Sequence, residues 1–475
     1  MSARPRRAPT SRRGIVATPA ARIAACLLAL TVSGPATALA QDAMAPPPRA
    51  GQTLDLEGAI RTGLSRNPSV ESADANAAAA QAARWADWGA FIPDANLNIN
   101  LSQTGFTTVT FLSPEGEPQI QDPPLASDRK RSAVGLSFSW DIFRGGQNIA
   151  GVKSGAAQSR AAEYRLHDAE RTVVRDVKVA YYEALKVQKL VAVAVGQLES
   201  RREDLSVTEE RYRIAGVTRS DLLGAQGEVA QAELTLLDRA DQARTAIREL
   251  QVRMGFAPGE IDPDMQIAEE DVVPTRARLE ADTLVARAIA TDPQLLALAE
   301  DQTAASADRW AARATYIPTI SLGYNLSRSQ DLAADESLFN LYPDNTQNSF
   351  SIQASWPLFT GFSRKEQNAQ ASSSLRRARA DYAQLSHQTD KLIRDLVDEI
   401  DRRQQRLGIL ETLYEVETER VELARQQYRL GSLPYDNLLI AISQQTTSEQ
   451  ELLRERYDYL KAWAELERLV GSGPR

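Results

Sequence analysis

The stretch SWDIFRG, residues 139–145, returns later in the chain as SWPLFTG, residues 355–361. In both copies a tryptophan stands three positions before a phenylalanine, and a glycine follows two positions after the phenylalanine. A long region without proline begins after each copy, at 146 and at 363. This repetition decides the fold, because it indicates that the chain contains one structural unit twice.

The duplication extends over most of the chain. A shift of 225 residues aligns Pro68 with Pro293, Trp85 with Trp310, and FIP at 91–93 with YIP at 316–318. A shift of 216 residues aligns Trp140 with Trp356, Tyr212 with Tyr428, and Leu222 with Leu438. The two shifts differ by a short insertion after Ser102, where a loop can absorb it. A repeat this long is a duplicated half and not a solenoid, whose periods are shorter.

We therefore predict three parts. Residues 1–40 form a secretory signal, residues 41–275 a first repeat, and residues 276–475 a second repeat. The signal is indicated by six arginines without an acidic residue, the apolar run IAACLLALTV, and the small-residue site at Ala38–Ala40. Its removal takes away Cys26, the only cysteine, and lowers the formal net charge from −8 to −14. An acidic exported chain is a poor candidate for binding nucleic acid.

Two segments of each half alternate apolar and polar residues with period two, which predicts strands with one apolar face. We expect these strands within 94–143 and within 319–359. The apolar positions are Leu97, Ile99, Leu101, Val134, Leu136, Phe138 and Trp140 in the first half, and Ile320, Leu322, Tyr324, Leu326, Phe350, Ile352 and Trp356 in the second. Asn, Ser, Gln and Gly occupy the other face, which indicates contact with water.

The period changes to that of a helix after each tryptophan motif. Val173, Val177, Ala180, Ala184, Val187, Val191, Ala194 and Leu198 are spaced by four and three residues, as in a coiled-coil seam. We predict a helical hairpin over 146–255 and another over 363–470. Gly216 and Gly431 are expected to adopt the left-handed conformation at the turns, and Ser220 and Asp436 to cap the returning helices.

Shorter helices precede the strands of each half. The sequence predicts them over about 54–66 and 68–91, and over about 279–291 and 293–316. Pro68 and Pro293 begin the second helix of each pair, and FIP or YIP ends it, because proline cannot continue a helix.

Aromatic residues mark the junctions between strand and helix: Trp140, Phe143, Trp356 and Phe359. Such positions are typical of a membrane–water interface, so outer-membrane lipid is an expected partner. Four strands cannot close a barrel, and open sheet edges are not tolerated in a bilayer. Three chains would supply twelve strands, whereas two would supply eight around little lumen. The alternative is that the aromatics join strand to helix in a soluble core.

The duplicated halves, the SW-x-x-F-x-G junctions and the Tyr-Arg-x-x-G turns together resemble the TolC family of outer-membrane efflux and secretion channels. The resemblance implies a mainly α fold with a small β part, in which a long α-helical coiled-coil barrel continues a twelve-stranded transmembrane β-barrel of a homotrimer. It further implies a location in the outer membrane and the periplasm. The implied partners are a periplasmic adaptor, or membrane fusion protein, and an inner-membrane pump of RND or ABC type.

The resemblance also implies functional positions at the tips of the hairpins. The family's Asp–Tyr gate contact corresponds to Asp221 and Tyr428, its arginine partner to Leu433, and its lumen aspartates to Asn437 and Ile440. Asp436 can substitute for the missing acids. The implied adaptor-docking turns are Gly216, Val217, Thr218, Gly431, Ser432 and Leu433. As an alternative, Asp221 caps the returning helix and Tyr428 packs in the seam.

We expect no enzymatic activity, cofactor or metal site. His167 and His387 are not equivalent in the repeat, and no nucleophile motif or phosphate-binding loop is found. The rival function is that of a soluble periplasmic coiled-coil scaffold or adaptor, which would explain the hairpins but not the alternating strands.

Overall fold

The computed structural model describes residues 53–105, 110–120, 129–268, 279–332 and 345–471, and the predicted signal lies outside these ranges. The first half contains α1 (Leu56–Arg66), α2 (Pro68–Gly89), β1 (Asp94–Thr104), β2 (Thr110–Leu112), β3 (Pro118–Ile120), β4 (Arg129–Arg144), α3 (Gln147–Arg213) and α4 (Arg219–Arg253). The second contains α5 (Ala281–Thr291), α6 (Pro293–Ala314), β5 (Thr319–Leu332), β6 (Asn345–Ser355), α7 (Ser363–Arg429) and α8 (Tyr435–Val470). The described residues are mainly helical, and the helix–strand–helix order is duplicated, as predicted.

The two prolines begin their helices as expected, and the preceding residue supplies the cap in both halves. The Asn67 side chain accepts a hydrogen bond from the Ser69 backbone N–H, and Asp292 accepts one from Gln294. Each cap satisfies a backbone donor that the first turn of a helix leaves without a partner. Both helix starts could be predicted from the sequence because proline fixes φ near the helical value.

Four strands form one antiparallel sheet in the order β1–β4–β5–β6. Its central pair joins the two halves, since β4 belongs to the first and β5 to the second, with Trp140 opposite Leu322 and Leu136 opposite Leu326. Among the described residues, the outer strands β1 and β6 each pair on one side only. The sheet of one chain therefore ends in two edges.

The strand prediction needs two corrections. The strand β6 ends at Ser355, so Trp356 and Phe359 lie beyond the sheet, whereas Trp140 and Phe143 lie within β4. Pro357 has no backbone N–H to donate directly after Trp356. The strand β6 therefore ends earlier in the repeat than its counterpart β4, which continues to Arg144. The insertion after Ser102, which was expected to lie in a loop, falls in a region that contains the small hairpin of β2 and β3.

The apolar face of the sheet is exposed in a single chain. Leu97 is 65% exposed, and Phe350 and Ile352 are similarly open. The facing pairs Leu97–Leu136 and Tyr324–Phe350 place these side chains on one side, because directly opposed residues share a face. Exposed apolar surface of this kind marks contact with a partner or a membrane.

The long helices form hairpins around small buried residues. All but one of the eight predicted seam positions of α3 are buried, and Val191 is half-buried. At about 1.5 Å per residue the 67-residue helices α3 and α7 are each about 100 Å long. None of the helices within the described residues is both long and apolar enough to cross a membrane.

The segment between the halves is held against α1 and α3. The Tyr181 hydroxyl lies 3.2 Å from the carbonyl oxygen of Leu54 and 3.1 Å from that of Ala268. Gly255 has a φ of 82°, and a Cβ there would lie 2.5 Å from the Arg66 carbonyl oxygen. Only glycine fits this close approach, which turns the chain out of α4 and toward the second half.

Candidate functional site at the helical tips

The first tip is the turn between α3 and α4. The residue with the left-handed conformation is Ala215, with a φ of 53°, and the prediction that Gly216 adopts it is wrong. Gly216 serves another purpose, because its N–H donates to the Arg211 carbonyl oxygen at 2.8 Å and a Cβ would lie 3.3 Å from that oxygen. The glycine therefore permits a close approach of two backbone segments.

The start of α4 is capped by Thr218, and the prediction of Ser220 as the cap is wrong. Asp221 N–H donates to the Thr218 hydroxyl oxygen at 3.2 Å, and the Asp221 carboxylate accepts from the Thr218 N–H at 2.8 Å. This reciprocal pair is a capping box, which satisfies two backbone donors at once. Ser220 cannot act as the cap because the helix has already begun at Arg219.

The second tip is the turn between α7 and α8. Gly431 is left-handed with a φ of 78°, as predicted, and Ser432 donates its hydroxyl to the Gln427 carbonyl oxygen at 3.0 Å. The residue at the cap of α8 is Pro434, which has no side-chain acceptor. Asp436 lies in the first helical turn and forms no capping bond, so its predicted capping role is wrong. Its carboxylate still opposes the positive end of the helix dipole.

The remaining predicted tip residues differ in exposure. Leu433 packs against a buried cluster formed by Ala225, Val421, Ala424, Tyr428, Tyr435, Leu438, Ala441 and Ile442. Val217 is half-buried, and Asn437 is exposed. The second tip thus has a packed apolar base, from which short polar turns project.

Tyr428 lies at the centre of this base with 2% of its surface exposed. Its hydroxyl is 2.9 Å from the hydroxyl of Thr208 on α3. Since Thr208 donates its own proton to the Asp204 carbonyl oxygen at 2.8 Å, Tyr428 is the donor in this pair. The Arg211 guanidinium lies 4.6 Å from the centre of the Tyr428 ring and donates to the Tyr428 carbonyl oxygen. These contacts join the two hairpins.

Within one chain the structure does not bring Asp221 and Tyr428 together. The Asp221 carboxylate accepts from the Thr218 N–H and hydroxyl, whereas the Tyr428 hydroxyl bonds to Thr208. The described contacts are those that the capping alternative expected for Asp221. A gate role for either residue stays a prediction.

Charged residues surround the same base. The Arg425 Nε lies 3.8 Å from a carboxylate oxygen of Asp204, and Arg429 pairs with Glu203 at 2.6 Å. The second carboxylate oxygen of Asp204 is buried without a hydrogen-bond partner in the described residues. Burial raises the pKa of Asp204, and the charge of Arg425 opposes this effect. Burial also raises the pKa of Tyr435 to about 12.

Four residues of this site were not predicted from the sequence: Thr208, Arg211, Asp204 and Arg425. Thr208 and Tyr428 are 220 residues apart, and no local pattern connects them. The repeat provides one signal in the sequence. Tyr212 matches Tyr428, which indicates that both tyrosines lie close to the turn of their hairpin. In the structure Tyr212 is 40% exposed, so the two repeat positions are not equivalent in packing.

The aromatic junctions form a second cluster, at the end of the sheet from which the long helices leave. The indole N–H of Trp140 donates to the Phe91 carbonyl oxygen at 3.0 Å, and that of Trp356 donates to the Tyr316 carbonyl oxygen at 3.2 Å. Phe143 and Phe359 are 43% and 77% exposed. The two hydrogen bonds occupy equivalent places in the repeat and tie each strand-to-helix exit to the preceding helix end.

The described part of the chain holds no group of three or more His, Cys, Asp or Glu side chains placed to bind a metal ion. The tips offer contacts between the two hairpins, and the junctions offer an apolar aromatic surface.

A family model described as outer membrane efflux protein matches residues 59–255 and 284–472. The alkaline protease secretion protein AprF of Pseudomonas aeruginosa is 24% identical over 319 residues, which are 67% of this chain and 65% of AprF. The match thus spans just under two thirds of that relative. The solvent efflux pump outer membrane protein SrpC of Pseudomonas putida is 24% identical over 380 residues, 76% of this chain and 74% of SrpC.

Solved structures agree on the fold. The outer membrane protein VceC of Vibrio cholerae superposes with a TM-score of 0.73 at 20% identity, covering 88% of this chain and 96% of VceC. At this identity the likeness shows a shared architecture of duplicated helix and strand halves.

Proposed function

Because this chain belongs to the outer membrane efflux protein family, we propose that it is a channel that carries substrates out of the cell across the outer membrane. Membership confirms the resemblance to the TolC family that the sequence suggested. The family is one of outer-membrane channel proteins and not of enzymes. The proposed path leads from the periplasm, or from an inner-membrane pump, to the exterior, in multidrug efflux or type I secretion.

One observation carries the proposal: a sheet with an exposed apolar face continues directly into two helical hairpins through the aromatic junctions. The apolar face, with Leu97, Phe350 and Ile352, suits lipid, whereas its opposite face of Asn, Ser and Gly suits a water-filled interior. The junction residues Trp140 and Trp356 suit the boundary between lipid and periplasm.

The edges β1 and β6 support a homotrimer. An unpaired strand edge is not tolerated within a bilayer, and four strands are too few to close. Three copies of the sheet give twelve strands, an even number within the usual range for bacterial barrels. The three pairs of hairpins would then enclose a helical tunnel that extends into the periplasm.

The tips are the proposed periplasmic entrance. The turns at Gly216, Val217, Thr218, Gly431, Ser432 and Leu433 are the proposed docking surface for an adaptor. Tyr428, Asp221, Asp436 and Asn437 are the proposed gate residues, with Thr208 and Arg211 as further members because they hold Tyr428. The pump, of RND or ABC type, would be reached through the adaptor. SrpC and AprF belong by name to efflux and to protein secretion, so the cargo stays open between those classes.

The test separates a channel from a soluble scaffold. The chain with its N-terminal region is expressed in a Gram-negative cell, the membranes are fractionated, and the purified protein is reconstituted in a planar bilayer. We expect recovery with the outer membrane and ion conductance that rises when the tips are loosened. Recovery in the soluble periplasm, or insertion without conductance in both the parent and the tip variants, would overturn the proposal.

A further inference from the structure

A cavity of about 410 Å³ lies between α3, the end of α8 and Leu64 of α1. Sites for small molecules usually have volumes of about 300–1,000 Å³. Two acidic side chains line this cavity, Glu170 and Glu467, against four cationic ones, which are Arg171, Arg175, Lys178 and Arg468. The whole chain has a formal net charge of −8. The cavity is therefore a positively charged place in an acidic protein.

The cations converge from two helices. Arg171, Arg175 and Lys178 are spaced by four and three residues on α3, so their side chains share one face of that helix. Arg468 comes from the last turn of α8. Arg171 reaches the same end of α8, because its Nη2 atom lies 3.6 Å from the position of a Cβ on Gly471. A group bound between Arg171 and Arg468 would thus contact both helices.

Three of the four cations have an acidic partner: the pairs are Lys178 with Glu467, Arg175 with Glu465 at 3.1 Å, and Arg468 with Asp168 at 3.7 Å. The other acid of the lining, Glu170, lies 3.0 Å from a ring nitrogen of His167. No ion pair of Arg171 is found among the described residues, and its Nη1 atom is buried there without a hydrogen-bond partner. The Nε atom of Arg468 is also buried without one.

These buried nitrogen atoms indicate what the cavity accepts. A buried charged donor without an acceptor is costly, so native structures supply a partner. The planar fork of a guanidinium group matches the paired oxygens of a phosphate or a carboxylate. Leu64, Val174 and Ala464 add apolar lining, which leaves room for an uncharged part of the same ligand.

We propose that this cavity binds a small organic oxyanion, a phosphate or a carboxylate with an apolar body, whose charged group is held by Arg171 and Arg468. The bound oxyanion supplies the acceptors that the two guanidinium groups lack, and it joins α3 to the end of α8. The site lies along the helices and away from both the tips and the sheet. It does not depend on the proposed transport function.

The second half of the chain has no such site. The repeat position of Arg171 is His387, and those of Arg175 and Lys178 are Lys391 and Arg394. Lys391 is paired with Asp395, and Arg394 with Asp390 and Asp282. Lys391 therefore provides a matched control, because its side chain is 78% exposed and its charge is already paired.

Binding is measured on the purified full chain in detergent by ³¹P NMR titration with phenyl phosphate and with inorganic phosphate, at neutral pH and constant ionic strength. We expect saturable binding that is tighter for phenyl phosphate. Arg171→Gln should weaken binding by more than about tenfold, because it removes charge-assisted hydrogen bonds to the ligand. Lys391→Gln removes the same charge elsewhere and should bind like the parent.

Unfolding by denaturant gives a second readout. Phenyl phosphate should raise the midpoint of the parent and not that of Arg171→Gln, because only a ligand that binds the folded state stabilises it. Without ligand, Arg171→Gln should be at least as stable as the parent, because it removes an uncompensated buried donor.

Three results would contradict the proposal. A parent that binds neither phosphate compound would show that the cavity holds water only. Equal binding by the parent and Arg171→Gln would place the anion elsewhere. Equal affinity for the two compounds would overturn the organic ligand and assign the site to free phosphate. Each of these results would leave the proposed channel untouched.

Discussion

The hydroxyl of Tyr428 donates a hydrogen bond to the hydroxyl of Thr208, which belongs to the other half of the chain. Both residues are buried, Thr208 completely. The bond therefore links α3 to α7 close to their tips, where the two hairpins would have to separate for a wider opening.

Tyr428→Phe removes this bond while retaining the packed ring. A neutral hydrogen bond contributes about 0.5–1.5 kcal/mol, and about 1.4 kcal/mol corresponds to a tenfold change in an equilibrium. We expect the equilibrium constant between the open and the closed state to shift toward the open state by about twofold to tenfold per chain. The measurement is the open probability in a planar bilayer. Thr208→Val should have the same effect, and the double variant should add little. Unchanged open probability in both single variants would show that the hydrogen bond between Tyr428 and Thr208 does not contribute to gating.

Thr218→Ala and Asp221→Ala separate capping from gating at the first tip. Loss of a cap costs about 1 kcal/mol and frays the first turn of α4. If Asp221 acts through the capping box alone, both variants should raise conductance equally. If Asp221 also pairs with a group of another chain, Asp221→Ala should have the larger effect. A conductance unaltered by either change would show that neither the cap nor Asp221 contributes to the gate.

The raised pKa of Asp204 predicts that the stability of the tips depends on pH. Burial raises the pKa of folded Asp204 above its ordinary value, and Arg425, Arg201 and Arg429 oppose the shift while Glu203 adds to it. Between the pKa of Asp204 in the unfolded chain and its higher pKa in the folded state, the folded state binds more protons. The stability that protonated Asp204 contributes is therefore full below the unfolded pKa and is lost as pH rises through the folded pKa.

Asp204→Asn should remove this dependence, because an amide does not titrate. The measurement is hydrogen exchange of the amides around Asp204 and Arg425 from acidic to neutral pH. Protection in the parent should fall across that range, and protection in the variant should fall less. The same slope in both proteins would show that another group is responsible.

Trp140→Phe and Trp356→Phe remove the two junction hydrogen bonds. Because both indoles are partly exposed, the expected loss per bond lies near the lower end of about 0.5–1.5 kcal/mol. The midpoint of unfolding by denaturant in detergent should decrease correspondingly in each variant. Trp88→Phe is the control, because Trp88 lies near the end of α2 and is 54% exposed, and it should leave the midpoint unchanged. A similar loss in the control would point to ring packing instead.

The orientation of the chain can be tested by labelling whole cells. Ser113 is a poor reporter, because it is buried in the β2–β3 turn, whereas Glu115 in the same turn is exposed. Glu115→Cys should react with an impermeant thiol reagent on intact cells, and Ser432→Cys should react only after the outer membrane is opened. The reverse pattern would place the tips outside the cell.

The helices and the sheet could be predicted because their causes are local. The α3 seam follows from the spacing of Val177, Ala180 and Ala184, and the α6 start follows from Pro293. Each depends on chain geometry within a few residues.

The tip contacts could not be predicted because their causes are distant in the chain. Whether Ala215 or Gly216 adopts the left-handed conformation depends on the backbone bond between Gly216 and Arg211. The choice of Thr218 over Ser220 depends on where α4 begins, and the partner of Tyr428 comes from the other half. A single sequence contains no pattern for such pairings.

Duplication within one chain has an evolutionary consequence that the corners between strand and long helix, at Gly145 and Gly361, make visible. In a ring of six identical half-length subunits, any substitution would appear at all six contacts together. In a duplicated chain the two copies of a corner are encoded separately, and here position 362 is phenylalanine where the equivalent position 146 is glycine. A substitution at one corner therefore does not have to suit the surroundings of the other, so the two halves can diverge in packing while they keep the same order of helices and strands.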